Sequence, residues 1–246
     1  MRALILSDLH SNLEALQATL GYARGLAYDR TFVLGDIVGY GPDPNPVVEA
    51  LRGQPGLLAI RGNHDRVATG LDDPDDFNDA ARVSAIWTRS ALEPGSRDYL
   101  LTLPQGPLPF APGALLAHGS PLDEDQYLLD PRTARDCFDG VSFDLCFFGH
   151  SHFPCCFALE HDRVRLLVAR GEHTVFALTP GGRYLINPGS LGQPRDRNPR
   201  CSFALYDDAE ATVTIHRLEY PLERTRDKIL AAGLPPSLGD RLRVGA

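Results

Sequence analysis

The chain has 246 residues, 43% of them hydrophobic and 23% charged, and its formal net charge is −8. That length supplies ample core for one globular domain, so residues 1–246 are expected to fold as a unit. The acidic balance argues against non-specific nucleic-acid binding, which relies on Lys and Arg neutralising phosphates, yet it leaves room for a small anionic substrate if bound cations reverse the local field.

No apolar run approaches the ~20 residues of a membrane span, so no membrane association is expected. The first strand begins at once, without a secretory n-region or h-region before it, and the expected location is the cytoplasm. The five cysteines (Cys137, Cys146, Cys155, Cys156 and Cys201) have no regular spacing and read as small apolar strand residues rather than reactive thiols.

In chain order, the apolar run 3–7 leads into Asp8 and His10. A helix follows, marked by Leu13, Leu16 and Leu20, with Asn12 as its cap and its N-terminus turned to where a phosphate would be welcome. The run 31–35 ends in Asp36, giving a first β-α-β unit, and residues 39–44 form a Gly/Pro loop that carries Tyr40. A short helix over 46–51 precedes a third strand that ends in Asn63, His64 and Asp65. Residues 71–103 read as a helical insertion, which would overhang the strand ends, and the acidic cluster Asp72, Asp73, Asp75 and Asp76 reads as a solvated loop before its helix. A fourth strand, 114–117, ends in His118. After irregular chain and a helix within 122–144, a fifth ends in Gly149, His150, Ser151 and His152. Short runs over 164–168, 174–178, 184–186, 202–206 and 212–218 are separated by Gly, Pro or Asp turns and predict a mostly antiparallel second sheet. A helix over 222–231 and a surface tail over 233–246 close the chain.

Short apolar runs bounded by glycine read as strands buried on both faces, and the crevice of an open α/β sheet lies beyond the carboxyl ends of its strands. Five such strands are therefore expected to deliver donors to one edge of one sheet, with the second sheet packed face to face on it. The fold class is α/β, a two-sheet β-sandwich flanked by helices. Carboxylate, amide and imidazole donors without thiolate suit Mn, Fe, Zn, Ni or Co. Asp8, His10, Asp36, Asn63, His118, His150 and His152 are too many ligands for one tetrahedral ion. They suit two ions sharing a carboxylate ~3.5–4 Å apart, able to hold a hydroxide and clamp a phosphoryl oxygen. Hydrolysis of a phosphate ester is the reaction that such a pair serves best.

Asp8-Leu9-His10, Gly35-Asp36, Gly62-Asn63-His64-Asp65, His118 and Gly149-His150-Ser151-His152 resemble the five signature blocks of calcineurin-like metallophosphoesterases. The segments around 35–46 and 187–196 further resemble a subgroup of small one-domain bacterial and archaeal members. The resemblance implies one metal on Asp8, His10, Asp36 and His152 and a second on Asp36, Asn63, His118 and His150, with Asp36 bridging. It also implies that His64 is the non-ligand histidine that protonates the leaving oxygen or stabilises its charge, and that Asp65 is structural. Two divalent ions, most readily Mn, are the implied cofactors. Where the family's protein Ser/Thr phosphatases continue with Asp-Arg-Gly, this chain has Gly39-Tyr40-Gly41, which weakens the phosphoprotein-phosphatase reading.

The expected substrate is a small phosphorylated molecule or nucleotide. Phosphodiester cleavage is preferred, symmetrical dinucleoside polyphosphate hydrolysis is a specific alternative, and a non-catalytic metal-binding scaffold is the rival from another class. Arg195, a planar and permanently charged donor, is a candidate for substrate contact, with Tyr40 and Asn12 behind it. Gln193 and Asn187 are candidates for positioning a metal ligand. His161, His173 and His216 read as structural or surface histidines.

Overall fold

The computed structural model describes residues 1–246. The first half alternates strands and helices: β1 (Arg2–Leu6), α1 (Leu13–Ala23), β2 (Arg30–Val33), α2 (Pro44–Arg52), β3 (Leu57–Ala59) and α3 (Asn63–Thr69). Helices α4 (Asp79–Ala91) and α5 (Pro94–Leu101) follow, then β4 (Leu108–Ala111), β5 (Ala114–Leu116), α6 (Pro131–Gly140) and β6 (Leu145–Phe147). The strand-rich part holds β7 (Cys155–Glu160), β8 (Arg163–Val168), β9 (His173–Ala177), β10 (Arg183–Asn187), β11 (Cys201–Asp207) and β12 (Thr212–Leu218). Helices α7 (Leu222–Ala231) and α8 (Pro236–Asp240) and a 3-10 turn over Arg241–Val244 end the chain. No helix is long and apolar enough to cross a membrane.

Two six-stranded sheets form, in the orders β3-β2-β1-β11-β12-β9 and β4-β5-β6-β10-β7-β8. This corrects the expectation of one sheet carrying all five donor-bearing strands. β1, β2 and β3 lie parallel in the first sheet, while β5 and β6 lie parallel, with β10, in the second. Each sheet is completed by antiparallel strands from the second half of the chain: β11 pairs with β1, and β7 with β10. A parallel strand shows both its edges to neighbours, and the sequence around it does not specify which strand fills the second edge.

Side-chain alternation along the strands explains the layering. Ala3 and Ile5 join Phe32, Phe147, Ile186 and Ala204 in the core between the sheets, whereas Leu4 and Leu6 face outward onto Leu16 of α1 and Val47, Val48 and Leu51 of α2. The second sheet turns Cys146, Phe157 and Leu185 outward onto Ala134, Cys137 and Phe138 of α6. Both faces are therefore dry, which is why the strands read as continuous apolar runs. All five cysteines are buried and unpaired within these layers.

Residues 233–246 do not form a surface tail. Leu234, Leu238 and Leu242 recur every fourth residue and pack with Ile229 of α7, Ala81 of α4 and Tyr40. Pro235, Pro236 and Gly239 punctuate the stretch and mask this apolar stripe, but Pro is tolerated in the first helical turn and the stripe is what fixes the segment. Leu238 is 1% exposed, so Leu238→Ala is expected to lower stability by about 2–5 kcal/mol in urea unfolding, against almost nothing for a solvated tail.

Candidate metal centre

The segments that follow β1, β2, β5 and β6 and the start of α3 meet at one end of the sandwich. Asp8, His10, Asp36, His150 and His152 have φ of 51°, 47°, 52°, 62° and 56°, the left-handed region that side chains with a Cβ avoid at about 1–2 kcal/mol each. Such a concentration of strain persists only where the surroundings over-determine it. Here they do. The Asp8 amide donates to the Gly35 carbonyl (3.2 Å), the His10 amide to the Asp36 carbonyl (3.0 Å) and the Gly149 amide to the His118 carbonyl (2.7 Å). The His150 amide donates across the two sheets to Asp8 Oδ1 (3.1 Å), and within the first sheet's side the His64 amide donates to Asp36 Oδ1 (2.9 Å). Gly62 lies so close to the Asp36 carboxylate and amide that a Cβ there would collide with both.

The strand ends also fix which ring nitrogens are free. His10 Nδ1 is 3.2 Å from the Val38 carbonyl, His118 Nδ1 is 2.7 Å from the Leu34 carbonyl and His152 Nδ1 is 2.6 Å from the Gln193 carbonyl. A carbonyl oxygen only accepts, so each Nδ1 carries the proton and each neutral ring turns an Nε2 lone pair inward. Those lone pairs meet other acceptors. His10 Nε2 is 3.2 Å from His152 Nε2, and His118 Nε2 is 3.1 Å from Asn63 Oδ1. Asp36 Oδ2 lies 3.6 Å from His10 Nε2 and 3.5 Å from His118 Nε2, while Asp8 Oδ1 lies 3.3 Å from His152 Nε2. Acceptors facing acceptors repel unless a cation stands between them. The buried His150 Nε2 has no hydrogen-bond partner at all.

Ligand atoms of Asp8, His10, Asp36 and His152 lie within 4.8 Å of one another, and so do those of Asp36, His118 and His150. Asp36 belongs to both groups. Charge balance points the same way. Burial pushes the Asp36 carboxyl up to about 8, while His118 is raised because the Asp36 and Asp8 carboxylates facing it outweigh the burial that opposes its charge. Burial lowers His10 and pushes His150 down to about 2, keeping them as lone-pair donors. The residues fit a divalent cation: hard carboxylate oxygens and neutral imidazoles, oriented by backbone carbonyls as metal-binding histidines usually are.

Residues 1–210 match the calcineurin-like phosphoesterase superfamily domain. The chain belongs to that superfamily. It is 35% identical over 245 residues to the uncharacterized protein MJ0912 of Methanocaldococcus jannaschii, covering 98% of this chain and 97% of the other. The crystal structure of a metallophosphoesterase from Sphaerobacter thermophilus superposes with a TM-score of 0.89 at 37% identity, covering 100% of both chains. A hypothetical protein from Pyrococcus horikoshii, PH1004, shares the fold with a TM-score of 0.82 at 22% identity, covering 100% of this chain and 98% of that one. The protein is thus a metal-dependent phosphoesterase with the two-sheet α/β architecture of its family.

In this phosphoesterase the His64 ring sits between aromatic neighbours, 4.4 Å from Tyr40 and 4.5 Å from Phe77 between centroids. Its Nδ1 is buried without a partner. Gly39 closes that side: with φ of +93° at Gly35 and +91° at Gly39, the loop turns so tightly that a Cβ on Gly39 would come within 2.6 Å of His64 Nδ1. Burial, with Arg195 nearby, lowers the His64 pKa well below the ordinary imidazole value. Arg195 lies over the Tyr40 ring at 5.8 Å, donates to Gln193 Oε1 (3.0 Å) and lines the cavity above the centre with Asp36, His64, His150 and His152. Tyr40, itself at φ 56°, lines the same cavity.

Asn12 is placed differently. Its Oδ1 caps α1 by accepting from the Ala15 amide (3.1 Å), and its Nδ2 donates to the Gly192 carbonyl (2.9 Å), so its side chain holds two loops together and does not line that cavity. Asp65 accepts from the Val38 (3.1 Å) and Gly62 (2.9 Å) amides and ties the second site loop to the third. Asn187 donates to the Gly149 carbonyl (2.8 Å) and Ser151 Oγ (3.0 Å), steadying the turn that bears His150 and His152. Loop 190–193 grips the first site turn: the Leu191 amide donates to the Ser7 carbonyl (2.9 Å), and both the Gly192 amide (2.9 Å) and Ser190 Oγ (2.8 Å) donate to the Asp8 carbonyl. His173 and His216 pair with each other 3.1 Å apart at Nδ1, remote from the centre, and His161 lies in a turn.

Sequence reasoning set the 71–103 insertion over the strand ends without naming the residues that complete the cavity wall. Asp76, Phe77, Asn78, Ala81 and Tyr127 line it, from the segment before and at the start of α4 and from the irregular stretch before α6. Asp76 does stand exposed, as a solvated acidic loop requires, but on the rim of the site. No spacing marks these residues; Phe77, close behind the acidic run, is the one apolar clue. Gly39→Ala is expected to cost at least ~1–2 kcal/mol in chemical denaturation because of its left-handed φ, before the contact with His64 is counted. Gly21→Ala, in α1 with open space around it, is expected to stabilise by about 0.4–1 kcal/mol in the same assay.

Proposed function

We propose that this phosphoesterase holds two divalent transition-metal ions and hydrolyses a small phosphodiester. One ion would take Asp8, His10, Asp36 and His152, and the other Asp36, Asn63, His118 and His150, with Asp36 shared. The observation that carries the reading is the inward convergence of imidazole lone pairs, fixed by backbone carbonyls, onto two buried carboxylates. A carboxylate has two oxygens for two ions, while an imidazole has one lone pair. Manganese is the preferred metal, with Fe, Zn, Ni or Co as alternatives, because the set is oxygen and imidazole without thiolate. Bound there, the ions would supply an activated water and stabilise charge on the attacking and leaving oxygens.

In the reaction the water oxygen forms a new P–O bond, the ester P–O bond breaks, and the alcohol leaves with the proton that the attacking water gives up. His64 serves the leaving oxygen as a neutral ring. With Nδ1 buried and unpartnered, the proton is assigned to Nε2, which makes no hydrogen bond within the protein and can donate into the cavity. Arg195, steadied by Gln193 and Tyr40, holds a non-bridging phosphoryl oxygen. The missing carboxylate partner for His64 Nδ1 favours diester cleavage over phosphoprotein dephosphorylation, since no group orients a strong general acid. A scaffold without catalysis has no use for His64 in this position. Five unpaired, buried cysteines fit a reducing cytoplasm.

The reading is tested by turnover of bis-p-nitrophenyl phosphate, p-nitrophenyl phosphate, a phosphopeptide and diadenosine tetraphosphate on metal-stripped protein reloaded with each metal. The Mn form is expected to favour the diester; no turnover of any would leave only the scaffold. His64→Ala is expected to lower kcat about 10²–10⁴-fold on a diester with a poor leaving group while metal content stays at two ions by mass spectrometry. Because His64 is held neutral, kcat is expected not to fall as pH rises through the ordinary histidine range of about 6.5; a descending limb there would assign it a proton to lose.

Asp36 supplies a second pH effect. Its raised pKa means that below about 8 the metal-free carboxyl holds a proton which a cation must displace. Metal affinity is therefore expected to climb with pH up to that value and flatten above it, with proton release seen by calorimetry in buffers of different ionisation enthalpy. Asp36→Asn is expected to lose both ions and that proton release together.

A further inference from the structure

The cavity above the centre holds about 90 Å³, and a second of about 230 Å³ shares Asn63, Asp76, Phe77, Tyr127 and His150 with it. Small-molecule sites run to roughly 300–1,000 Å³, so the inner chamber takes a phosphoryl group and little more. A sizeable alcohol on that phosphate must therefore extend past the shared residues. Among them, Tyr127 packs on His150 at 3.9 Å between centroids, tilted by 37°, yet remains 47% exposed. The next residue, Leu128, is buried with Ala134 and Phe138 of α6. The backbone thus anchors itself through Leu128 and turns Tyr127 toward the site.

An ionic fork fixes that ring in place. The Glu124 carboxylate, 13% exposed, accepts from Arg61 Nη2 (3.2 Å), and Arg66 Nη1 lies 2.7 Å from it. Arg61 and Arg66 bracket Gly62-Asn63-His64-Asp65 in the sequence, so both ends of that block close on one acid. Arg66 also reaches Asp125 (2.8 Å). The chain from His118 folds back tightly to meet them. A Cβ on Gly119 would come within 2.6 Å of the Glu124 carbonyl oxygen, and Ser120 Oγ accepts from the Leu122 (3.1 Å) and Asp123 (3.0 Å) amides. Glu124 is tied to the His118 turn by the backbone and to the 61–66 block by charge, three residues before Tyr127. A partly desolvated acid between two guanidinium groups constrains its loop far more than an exposed ion pair does.

We propose that Tyr127 is a specificity-determining residue, the face on which the retained alcohol of the diester lies, and that Glu124 positions it through Arg61 and Arg66. This rests on the phosphodiesterase reading of the centre and narrows it to diesters whose retained alcohol carries a flat ring. His64, packed on Phe77, serves the leaving oxygen, which puts the retained alcohol on the His150 side, against Tyr127. A planar group there gains offset stacking and sheds water from both faces, whereas a methyl group is too short to reach the ring.

The test compares bis-p-nitrophenyl phosphate with methyl p-nitrophenyl phosphate on the Mn-loaded full chain. Both lose the same p-nitrophenolate, so only the retained alcohol differs, and the change in their kcat/KM ratio between native chain and variant isolates the ring's contribution. Tyr127→Ala, at a half-exposed side chain, is expected to lower the ratio about tenfold, mostly through KM of the aryl diester, while Tyr127→Phe keeps it. Glu124→Gln is expected to lower the ratio in the same way with two ions still bound by mass spectrometry. The double variant Tyr127→Ala, Glu124→Gln should fall no further than Tyr127→Ala alone, because one residue acts through the other. Arg61→Gln, which leaves Arg66 on Glu124, is expected to move the ratio in the same direction and replaces Glu124→Gln if that variant does not fold. A ratio that Tyr127→Ala leaves untouched overturns the specificity role, and independent losses in the double variant overturn the positioning role. If both diesters are cleaved and the ratio does not move, the Tyr127 assignment falls alone; if neither is cleaved, the phosphodiesterase reading falls and takes this proposal with it.

Discussion

Buried oxygen and nitrogen lone pairs without enough positive charge among them are the constraint around which this molecule is built. Removing a carboxylate from water costs several kcal/mol unless it is paired. Asp8 and Asp36 are both buried; each accepts a backbone amide, but the imidazoles that face them turn their protons away onto main-chain carbonyls. The fold tolerates this because the donors are not free to relax. Their turns are locked in left-handed conformations by amide hydrogen bonds from strands on both sides. A stability surplus in the dry double layer below holds open a site that the protein alone does not satisfy.

The division of labour between the two sheets follows from this. Each contributes a parallel set whose ends point to the same place, and each set is continued on one side by antiparallel strands from the second half of the chain. Asp8, Asp36 and Asn63 come from one sheet's side, and His118, His150 and His152 from the other's. The centre is therefore a seam. The His150 amide on Asp8 is one of the bonds that stitch it, and cations shared between the two sides would stitch it further.

Much of the centre was legible because its chemistry is written locally: an apolar run, a tight turn, then a donor. The same pattern at several strand ends pointed to one site without knowledge of which strands pair. Pairing itself was not legible. β1 could neighbour any strand of suitable length, and its choice of β11 depends on contacts some two hundred positions away. Helix α3 was hidden because it begins on the site residues themselves, so its first turn reads as a loop of ligands. The two cysteines of β7 read as strand residues but no run is assigned to 155–160, and β4, which holds a proline, is not assigned either. Asn12 shows a different ambiguity: a polar side chain at a helix start beside the site reads equally as a phosphate contact and as a cap, and here it caps α1 and holds the neighbouring loop. The acidic run was correctly read as solvated, yet solvation does not say which opening it borders.

The grip of loop 190–193 on the first turn has a consequence for how the molecule comes into being. The carbonyls of Ser7 and Asp8 and the ring of His152 are all held by residues translated long after them. A nascent chain that has left the ribosome through His152 owns every proposed ligand but lacks the clasp that aims them. The donors are therefore aimed only once about four-fifths of the polypeptide has emerged, and a product ended before residue 190 would carry them without the loop that holds them in place.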